Sequence, residues 1–365
     1  MEKQAKPRKK SRIILILLFI ALNIVVISVT AVREFSQKPA EKLTIRFGAS
    51  NWLFLMAGIG CMLVTLAIET AKYLIMMRSL NEKVSPKAAF ETAALGKYYD
   101  NITPFGSGGQ PFQIYSMHKF GYSGGISAAM PLTSFFTMQS GFVILAVLIF
   151  IFGRKVATGS LMLIPAIIGA IFYMAIPALI LLFTIAQGPA TGLLRGLIRL
   201  GAKLHIVKDP EETGRSLLQS LRDYRSSVLM MSRRKWLIPL LLGLSFLYQL
   251  AMSSIPFFVL LAFNGSAPYF ETLAMTVLVY CVSTIVPTPG NSGAMEGSFY
   301  IIFSALDPTG LFWAMLVWRF ICYYAFIVIG ILIYAFHAAA GRKAENKGWK
   351  QEDYPDGGGG DTHES

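Results

Sequence analysis

Long apolar runs with few or no charges, separated by polar segments, form the main pattern of the chain. Six runs approach the length needed to cross a bilayer, because a helix of about 20 apolar residues spans the hydrocarbon core. They cover residues 13–30, 51–77, 128–152, 158–185, 236–263 and 311–338. We interpret the first as an uncleaved helix, since the apolar part of a signal peptide is usually about 7–15 residues long. The pattern therefore predicts an all-α polytopic membrane protein with about six full spans.

Two stretches interrupt this pattern with prolines and glycines. The first broken stretch covers residues 100–111 and the second covers residues 286–296. Proline and glycine disfavour helix interiors, so each stretch predicts a break between two short helices. The predicted arms are 86–99 and 111–120 around the first break, and 267–285 and 295–306 around the second. Each pair of arms is too short for two spans and predicts a re-entrant hairpin.

The two broken stretches correspond to each other at one fixed offset. Thr103-Pro104 matches Thr288-Pro289, and Ser107-Gly108 matches Ser292-Gly293, both 185 residues apart. Gly- and Pro-interrupted segments in corresponding halves of a membrane protein indicate a transporter's binding site. The correspondence therefore predicts a repeat with a binding site at its two breaks. The structural alternative is that these residues only permit kinks and close helix packing.

The distribution of basic residues predicts the orientation. With the N-terminus in the cytoplasm, the cytoplasmic segments hold 25 of the 33 Lys and Arg residues and the external segments hold six. This bias follows the positive-inside rule, so we expect both termini to be cytoplasmic in a cell-membrane protein. The first hairpin then enters from the cytoplasm and the second from outside, so the two hairpins are predicted to form an inverted repeat. An alternative topology, in which every hairpin arm crosses the membrane fully, has ten crossings and also places both termini in the cytoplasm.

The same pattern divides the chain into segments. We predict a basic cytoplasmic N-terminus at 1–12, a transmembrane domain at 13–338 and a disordered cytoplasmic tail at 339–365. Within the domain, residues 186–235 carry leucines at helical spacing among ten basic residues, which predicts amphipathic helices on the cytoplasmic surface.

Composition supports a membrane location over other classes. The chain is 54% hydrophobic and 15% charged, with a mean hydropathy of +0.55, whereas soluble domains are about 25% charged. The formal charge of +13 would suit nucleic acid, but no nucleic-acid-binding motif accompanies it. We expect no such partner. The cysteines and histidines lie far apart, so no catalytic residue, metal site or cofactor is predicted.

Four charges lie inside apolar segments and need partners, because a lone charge at membrane depth is costly. Glu69 and Lys72 share a helix face at i,i+3, which favours an internal salt bridge over a place on a transport path. Glu296 and Arg319 either form a buried pair or have separate roles. In the second case Arg319 would meet a lipid phosphate while Glu296 acts in gating or proton coupling.

The broken stretches carry the signatures of a known family. The pattern Pro-x-Pro-Gly-x-x-Gly-x-x-Glu from Pro287 to Glu296 resembles the second signature of the lysylphosphatidylglycerol synthase transmembrane region, a flippase-like family. Residues 101–110 resemble its first signature, and Arg319 with Tyr323 resembles its last helix. The resemblance covers about residues 10–340. Many members carry an acidic residue and an arginine after the first glycines, where this chain has Gln-Pro-Phe-Gln at 110–113.

The resemblance implies movement of a lipid headgroup between leaflets. The expected substrate is an anionic or aminoacylated phospholipid of the phosphatidylglycerol type, or a lipid-linked precursor. The best-known members also carry a cytosolic domain that transfers lysine from tRNA to phosphatidylglycerol. We expect this chain to lack that domain, because only 27 residues follow residue 338.

Two other functions and several partners stay open. The chain could instead be the membrane component of a phosphatidylglycerol lysyltransferase, linked to cationic peptide resistance, or a non-transporting scaffold. Partners would be a membrane phospholipid, a separate aminoacyl- or glycosyltransferase, and a second copy in a homodimer.

Motifs and resemblance together give one set of candidate substrate-binding residues. A half-helix N-terminus presents free N–H groups that suit a phosphate, and glycines allow close approach. The candidates are Asn101, Thr103, Pro104, Gly106, Ser107, Gly108, Gly109, Gln110, Pro287, Pro289, Gly290, Asn291, Gly293, Glu296, Arg319 and Tyr323.

Overall fold

The computed structural model describes two blocks of the chain and scattered positions between 25 and 229. The blocks are residues 48–152 without 105, and residues 233–346 without 264–267, 287 and 307–309. The predicted spans 13–30 and 158–185, the amphipathic segment 186–235 and the tail lie largely outside the described residues. The candidate site residue Pro287 also lies outside them.

The described blocks are almost entirely helical, which confirms the all-α prediction. Strands are absent from these blocks. The helices are α1 (Ala49–Ser79), α2 (Pro86–Ile102), α3 (Gly109–Lys119), α4 (Gly124–Phe152), α5 (Leu237–Ala262), α6 (Tyr269–Ser283), α7 (Ala294–Phe303), α8 (Leu311–Arg319) and α9 (Ala325–Asn346). A short 3₁₀ turn, Ser304–Leu306, follows α7, and a π turn, Phe320–Tyr324, joins α8 to α9.

Four helical segments are long and apolar enough to cross a membrane. They are α1, the Gly124–Ile151 part of α4, α5, and the continuous α8–α9 segment over Leu311–Ala339. Each coincides with one of the six predicted spans. The protein is therefore a helical membrane protein.

Helices end at both broken stretches, as predicted. At the first, α2 stops at Ile102 because Thr103 is extended, the conformation that a following proline favours. At the second, Gly290, Asn291 and Gly293 have positive φ angles of 56°, 52° and 88°, which no helix contains. The 11 residues of α3 are about 16 Å long at 1.5 Å per residue. That is about half of the hydrocarbon thickness.

Side-chain hydrogen bonds between helices fix their relative directions. At one end, Asn51 Nδ2 donates to the Ala262 carbonyl of α5 over 2.7 Å. At the other end, Arg234 before α5 donates to Asn81 Oδ1 after α1. Thus α1 and α5 pack antiparallel. Tyr122, which follows α3, donates its hydroxyl to the Lys83 carbonyl before α2 over 2.6 Å. The first hairpin therefore starts and finishes together, at the end of the bundle where α1 finishes.

The second hairpin packs where α5 ends. The Tyr269 hydroxyl at the start of α6 lies 2.8 Å from Ser254 Oγ in the C-terminal part of α5. Its second arm, α7, packs on α8 through stacked rings, with Phe299 4.3 Å from Phe303 and 4.5 Å from Trp318 between centroids. This stack fixes α7 against α8, one turn from Glu296.

A buried ion pair joins α1 to α4. Lys72 Nζ lies 3.2 Å from Glu69 Oε2 and 3.1 Å from the Ser134 carbonyl, and Ser134 Oγ donates to Glu69 Oε1 over 2.6 Å. All three side chains are buried. The internal salt bridge that the sequence favours is present, with Ser134 as a partner that the spacing did not reveal.

Candidate functional site

The two broken stretches meet each other in the structure. Pro104 and Pro289, which the sequence alignment pairs, form an isolated antiparallel bridge. Asn101 and Tyr323 reinforce the contact: Asn101 Nδ2 donates to the Tyr323 carbonyl, and Tyr323 Oη donates to the Asn101 carbonyl, both over 3.1 Å. The π turn that carries Tyr323 thus joins the same junction. Local widening by π turns is frequent at functional sites.

The first break is held by its own polar side chains. Thr103 Oγ1 donates to the Tyr99 carbonyl over 2.7 Å and accepts the Gly108 N–H over 2.8 Å. Asp100 Oδ1 accepts the Gly109 N–H over 3.0 Å. Two N–H groups at the start of α3 are therefore already bonded, one of them to a carboxylate. This differs from the expectation that these groups are free for a ligand phosphate.

The second break is closed by Glu296 and Arg319. Glu296 Oε2 accepts the Gly293 N–H over 2.6 Å, which caps α7, and its Oε1 accepts from Arg319 Nε over 2.6 Å. Arg319 Nη2 donates to Ser292 Oγ over 3.0 Å and to the Gly290 carbonyl over 3.3 Å. Both charged side chains are 2–3% exposed. The structure therefore shows the buried Glu–Arg pair, tied to the backbone of the break.

Tyr323 completes this network from the π turn. Its ring centroid lies 4.4 Å from the Arg319 guanidinium carbon, which is cation–π distance. Since Tyr323 also bonds to Asn101, one side chain links the guanidinium of the second break to the backbone of the first. The two breaks form a single structural unit.

Several candidate glycines pack against the chain itself. Gly290 has φ +56°, and a Cβ there would enter the ring of Tyr323. A Cβ at Gly108 would lie 2.5 Å from Thr103 Cγ2, and one at Gly109 would meet the Asp100 carboxylate. These positions therefore require glycine because the chain packs closely against them within the junction.

A cavity of about 590 Å³ opens at the junction. Its wall combines both broken stretches with side chains of α2, α4, α5, α6 and the α8–π segment. Eight of the candidate residues line it: Asn101, Gly106, Ser107, Gln110, Gly290, Asn291, Arg319 and Tyr323. The other described candidates, Thr103, Pro104, Gly108, Gly109, Pro289, Gly293 and Glu296, are absent from the wall, and most of them bond or pack within the breaks.

The candidate residues predicted from the sequence leave out several polar residues of the wall. Lys97 and Asp100 line the cavity from α2, and Gln139 and Gln249 line it from α4 and α5. Gln249 Nε2 donates to the Met138 carbonyl over 3.2 Å. The available signals were an amide inside each of two predicted spans, a lysine near the end of the arm 86–99, and an aspartate at the first position of the broken stretch. Such polar groups usually face a bundle interior.

The polar groups of this wall are suited to holding a ligand. Across the described blocks, three or more His, Cys, Asp or Glu side chains never gather in a metal-binding group. The cavity offers a lysine, an arginine already paired, a carboxylate bonded to backbone, several amides and several aromatic hydroxyls. These groups can hold a charged, hydrogen-bonding molecule in place.

The chain is similar to known membrane proteins. A family model described as "Lysylphosphatidylglycerol synthase TM region" matches residues 13–330. The chain is 22% identical over 272 residues to a UPF0104 membrane protein of Methanothermobacter thermautotrophicus, covering 73% of this chain and 80% of that protein. It is also 22% identical over 319 residues to a UPF0104 membrane protein of Archaeoglobus fulgidus, covering 85% and 94%. The family match covers both broken stretches, three of the described spanning segments and most of the fourth, and the chain belongs to the lysylphosphatidylglycerol synthase transmembrane-region family.

Proposed function

We propose that this protein moves a phosphate-bearing lipid headgroup between the leaflets of the cell membrane. The supporting observation is the polar cavity at the junction of the two broken stretches, inside a bundle of apolar helices. Irregular backbone is stable at membrane depth only where protein shields it or where it lines a cavity. Broken helices around a central site are characteristic of transporters.

The dimensions of the cavity suit a headgroup. Small-molecule sites usually enclose about 300–1,000 Å³, and this cavity encloses about 590 Å³. A headgroup fits that volume, whereas two acyl chains of a phospholipid do not. The chains would stay in the bilayer while the headgroup passes through the polar interior. The substrate class is an anionic or aminoacylated phospholipid of the phosphatidylglycerol type, or a lipid-linked precursor.

The hairpins supply a route from both sides in this proposal. The first hairpin starts and finishes beside the end of α1, and the second starts beside the opposite end, where α5 finishes. We infer an inverted repeat of two re-entrant hairpins within six spans, with both termini cytoplasmic. Each hairpin would open the junction toward one face of the membrane, and a separate aminoacyl- or glycosyltransferase would supply the lipid.

A reconstituted vesicle assay tests this function. Vesicles contain the purified full chain and a trace of phosphatidylglycerol with a fluorophore on an acyl chain, and dithionite bleaches the outer leaflet. Protein-free vesicles should lose about half of the signal. Vesicles with the protein should lose nearly all of it, with and without an imposed proton gradient as separate arms. Bleaching that stays at half in both arms, from protein that is folded and inserted, contradicts the proposal.

A further inference from the structure

A carboxylate lines the cavity at the first break. Asp100 is partly buried in the cavity wall, and Ser107 of the same break lines the cavity and is exposed, so the cavity reaches the surface of the protein there. Carboxylates that face a cavity inside a bundle of membrane helices are typical members of proton relays. A volume of about 590 Å³ is far more than one water molecule needs, so protons can reach Asp100 through water.

Two other buried carboxylates of the bundle are less suited to exchanging protons. Glu296 is paired with Arg319 and Glu69 with Lys72, at 2.6 Å and 3.2 Å between the charged atoms. Both carboxylates are 2% exposed, and neither lines the cavity. A proton that entered such a pair would leave a buried cation without its counter-ion, which is costly. Of the three carboxylates, Asp100 is therefore the one that can exchange a proton with the cavity.

Asp100 also closes the first break. Its Oδ1 accepts the Gly109 N–H over 3.0 Å, which ties the start of α3 to the end of α2. The fit is tight, since a Cβ at Gly109 would meet this carboxylate and lie 2.7 Å from the Gly96 carbonyl oxygen. A hydrogen bond to an ionised carboxylate is about twice as strong as one between neutral groups. A proton on Asp100 therefore weakens a contact that holds the two arms of the first hairpin together.

Charged and titratable groups from three helices act on this carboxylate. Lys97, one turn earlier on α2, attracts the Asp100 charge, and Glu69 of α1 repels it. Tyr73 of α1 and Tyr248 of α5 also face it. Lys97 Nζ itself lies 5.2 Å from the centroid of the Tyr248 ring. A proton on Asp100 removes a negative charge that attracts Lys97, which further loosens the packing around the break.

We propose that Asp100 is the proton-binding residue that couples lipid movement to the proton gradient across the membrane. This inference rests on the proposed function for the lipid and names its driving force. A proton from cavity water that is continuous with the acidic side forms an O–H bond on the carboxylate. The first hairpin then opens at its break, and the proton returns to water when the cavity is exposed to the other side.

Hydrogen exchange tests the proton-dependent opening without any lipid assay. The full chain in nanodiscs is labelled between about pH 5 and about pH 8, and the exchange rates are corrected for the intrinsic effect of pH. Backbone exchange around Gly109 should be at least about threefold faster at the acidic end, while exchange in α5 should not change. Asp100→Asn, whose side chain is neutral, should exchange at both ends as the wild type does in acid. Wild-type exchange that does not depend on pH overturns the inference.

Lys97→Gln tests the sign of the electrostatic argument. Loss of the positive neighbour favours the protonated form of Asp100, so the faster exchange should extend upward by about one pH unit. Glu82→Gln, which removes a carboxylate in the turn after α1 and outside the cavity, is the matched control and should follow the wild type. A transition in Lys97→Gln that stays in place or moves to lower pH contradicts the inference.

The dithionite assay tests the coupling itself. The external solution is kept at about pH 8, and the vesicle lumen is set to about pH 6 or about pH 8. Wild-type rates of lipid movement in the two kinds of vesicle should differ by at least about threefold, and a protonophore should abolish the difference. Asp100→Asn rates should differ by less than about 1.5-fold, and Glu82→Gln should behave like the wild type. Equal wild-type rates, or a gradient effect that persists in Asp100→Asn, overturn the coupling.

The two readouts distinguish this inference from the proposed function. Proton-dependent exchange that requires Asp100, in a protein that moves no lipid in any arm, contradicts the proposed transport and retains the proton-binding residue. Lipid movement without pH-dependent exchange and without a gradient effect contradicts only the role of Asp100. If Asp100→Asn does not fold, the wild-type exchange series and the shift in Lys97→Gln still decide between these outcomes.

Discussion

Replacing the charges of Glu296 and Arg319 one at a time should strongly destabilise the fold. Both side chains are 2–3% exposed, and Arg319 Nε lies 2.6 Å from Glu296 Oε1. Arg319→Gln leaves a buried carboxylate with only the Gly293 N–H as bonded partner, and Glu296→Gln leaves a buried guanidinium without a counter-ion. Breaking a buried pair by removing one partner costs about 3–5 kcal/mol. We expect each single variant to lose about that much of its free energy of unfolding.

The double variant Glu296→Gln with Arg319→Gln separates a structural role from lipid binding. It removes both charges together and leaves neither unpaired. Its loss of free energy of unfolding should therefore be clearly smaller than the sum of the two single losses. Because Arg319 is bonded to the chain at three positions, we expect the double variant to keep most of its lipid movement.

Unfolding in mixed detergent micelles gives the free energies, and the dithionite assay on the same preparations gives lipid movement. Arg78→Gln, on an exposed arginine at the end of α1, serves as the control and should change the free energy of unfolding by less than about 0.5 kcal/mol. Single variants that are as stable as the wild type would contradict the claim that Glu296 and Arg319 stabilise the fold as a buried pair. A double variant that is folded but moves no lipid would show instead that Arg319 or Glu296 acts on the substrate.

Three smaller predictions test the junction and the topology. Gly290→Ala should destabilise by at least about 1 kcal/mol, because its φ is +56° and its Cβ enters the Tyr323 ring, whereas Gly297→Ala in open space within α7 should be neutral or stabilising in the same unfolding assay. Tyr323→Phe should cost about 0.5–1.5 kcal/mol through one lost hydrogen bond, and no loss would contradict the link between the breaks. A cysteine placed at Gly48 should react with an impermeant thiol reagent added outside intact cells, and one placed at Ser123 should not. The reverse labelling pattern would show that the protein has the opposite orientation in the membrane.

Local signals in the sequence were sufficient to predict where the helices break, but they could not predict that the two breaks contact each other. Thr103-Pro104 and Gly290 dictate where helices stop, because proline and positive φ angles act within a few residues. The offset paired Pro104 with Pro289, yet it could not show that the two touch, since homologous positions of a repeat need not be adjacent.

The missed residues depend on neighbours that are distant along the chain. Lys97 lies in an arm whose sequence is moderately apolar but too polar to cross the membrane alone. It becomes a cavity residue only because Met138 of α4 and Tyr248 of α5 pack over it. The glycines illustrate the converse. From the sequence, we expected the glycines to allow the close approach of a ligand. In the structure, the space beside Gly290 is occupied by Tyr323, and the space beside Gly108 is occupied by Thr103.

Reversible blocking of the cavity tests most directly whether lipid passes through it. Ser107 lines the cavity and is exposed, so a cysteine there is open to reagents. The background has Cys61, Cys281 and Cys322 replaced by alanine, and a cysteine at Phe150, an exposed residue of α4 outside the cavity, is the control.

The measurement is the dithionite rate before and after a bulky methanethiosulfonate, and again after reduction. Lipid movement by the Ser107→Cys protein should fall to the protein-free level on modification and return on reduction, while the Phe150→Cys protein should be unaffected. Unchanged movement after complete modification at position 107, confirmed by mass, would show that the headgroup does not travel through the junction of the two broken stretches.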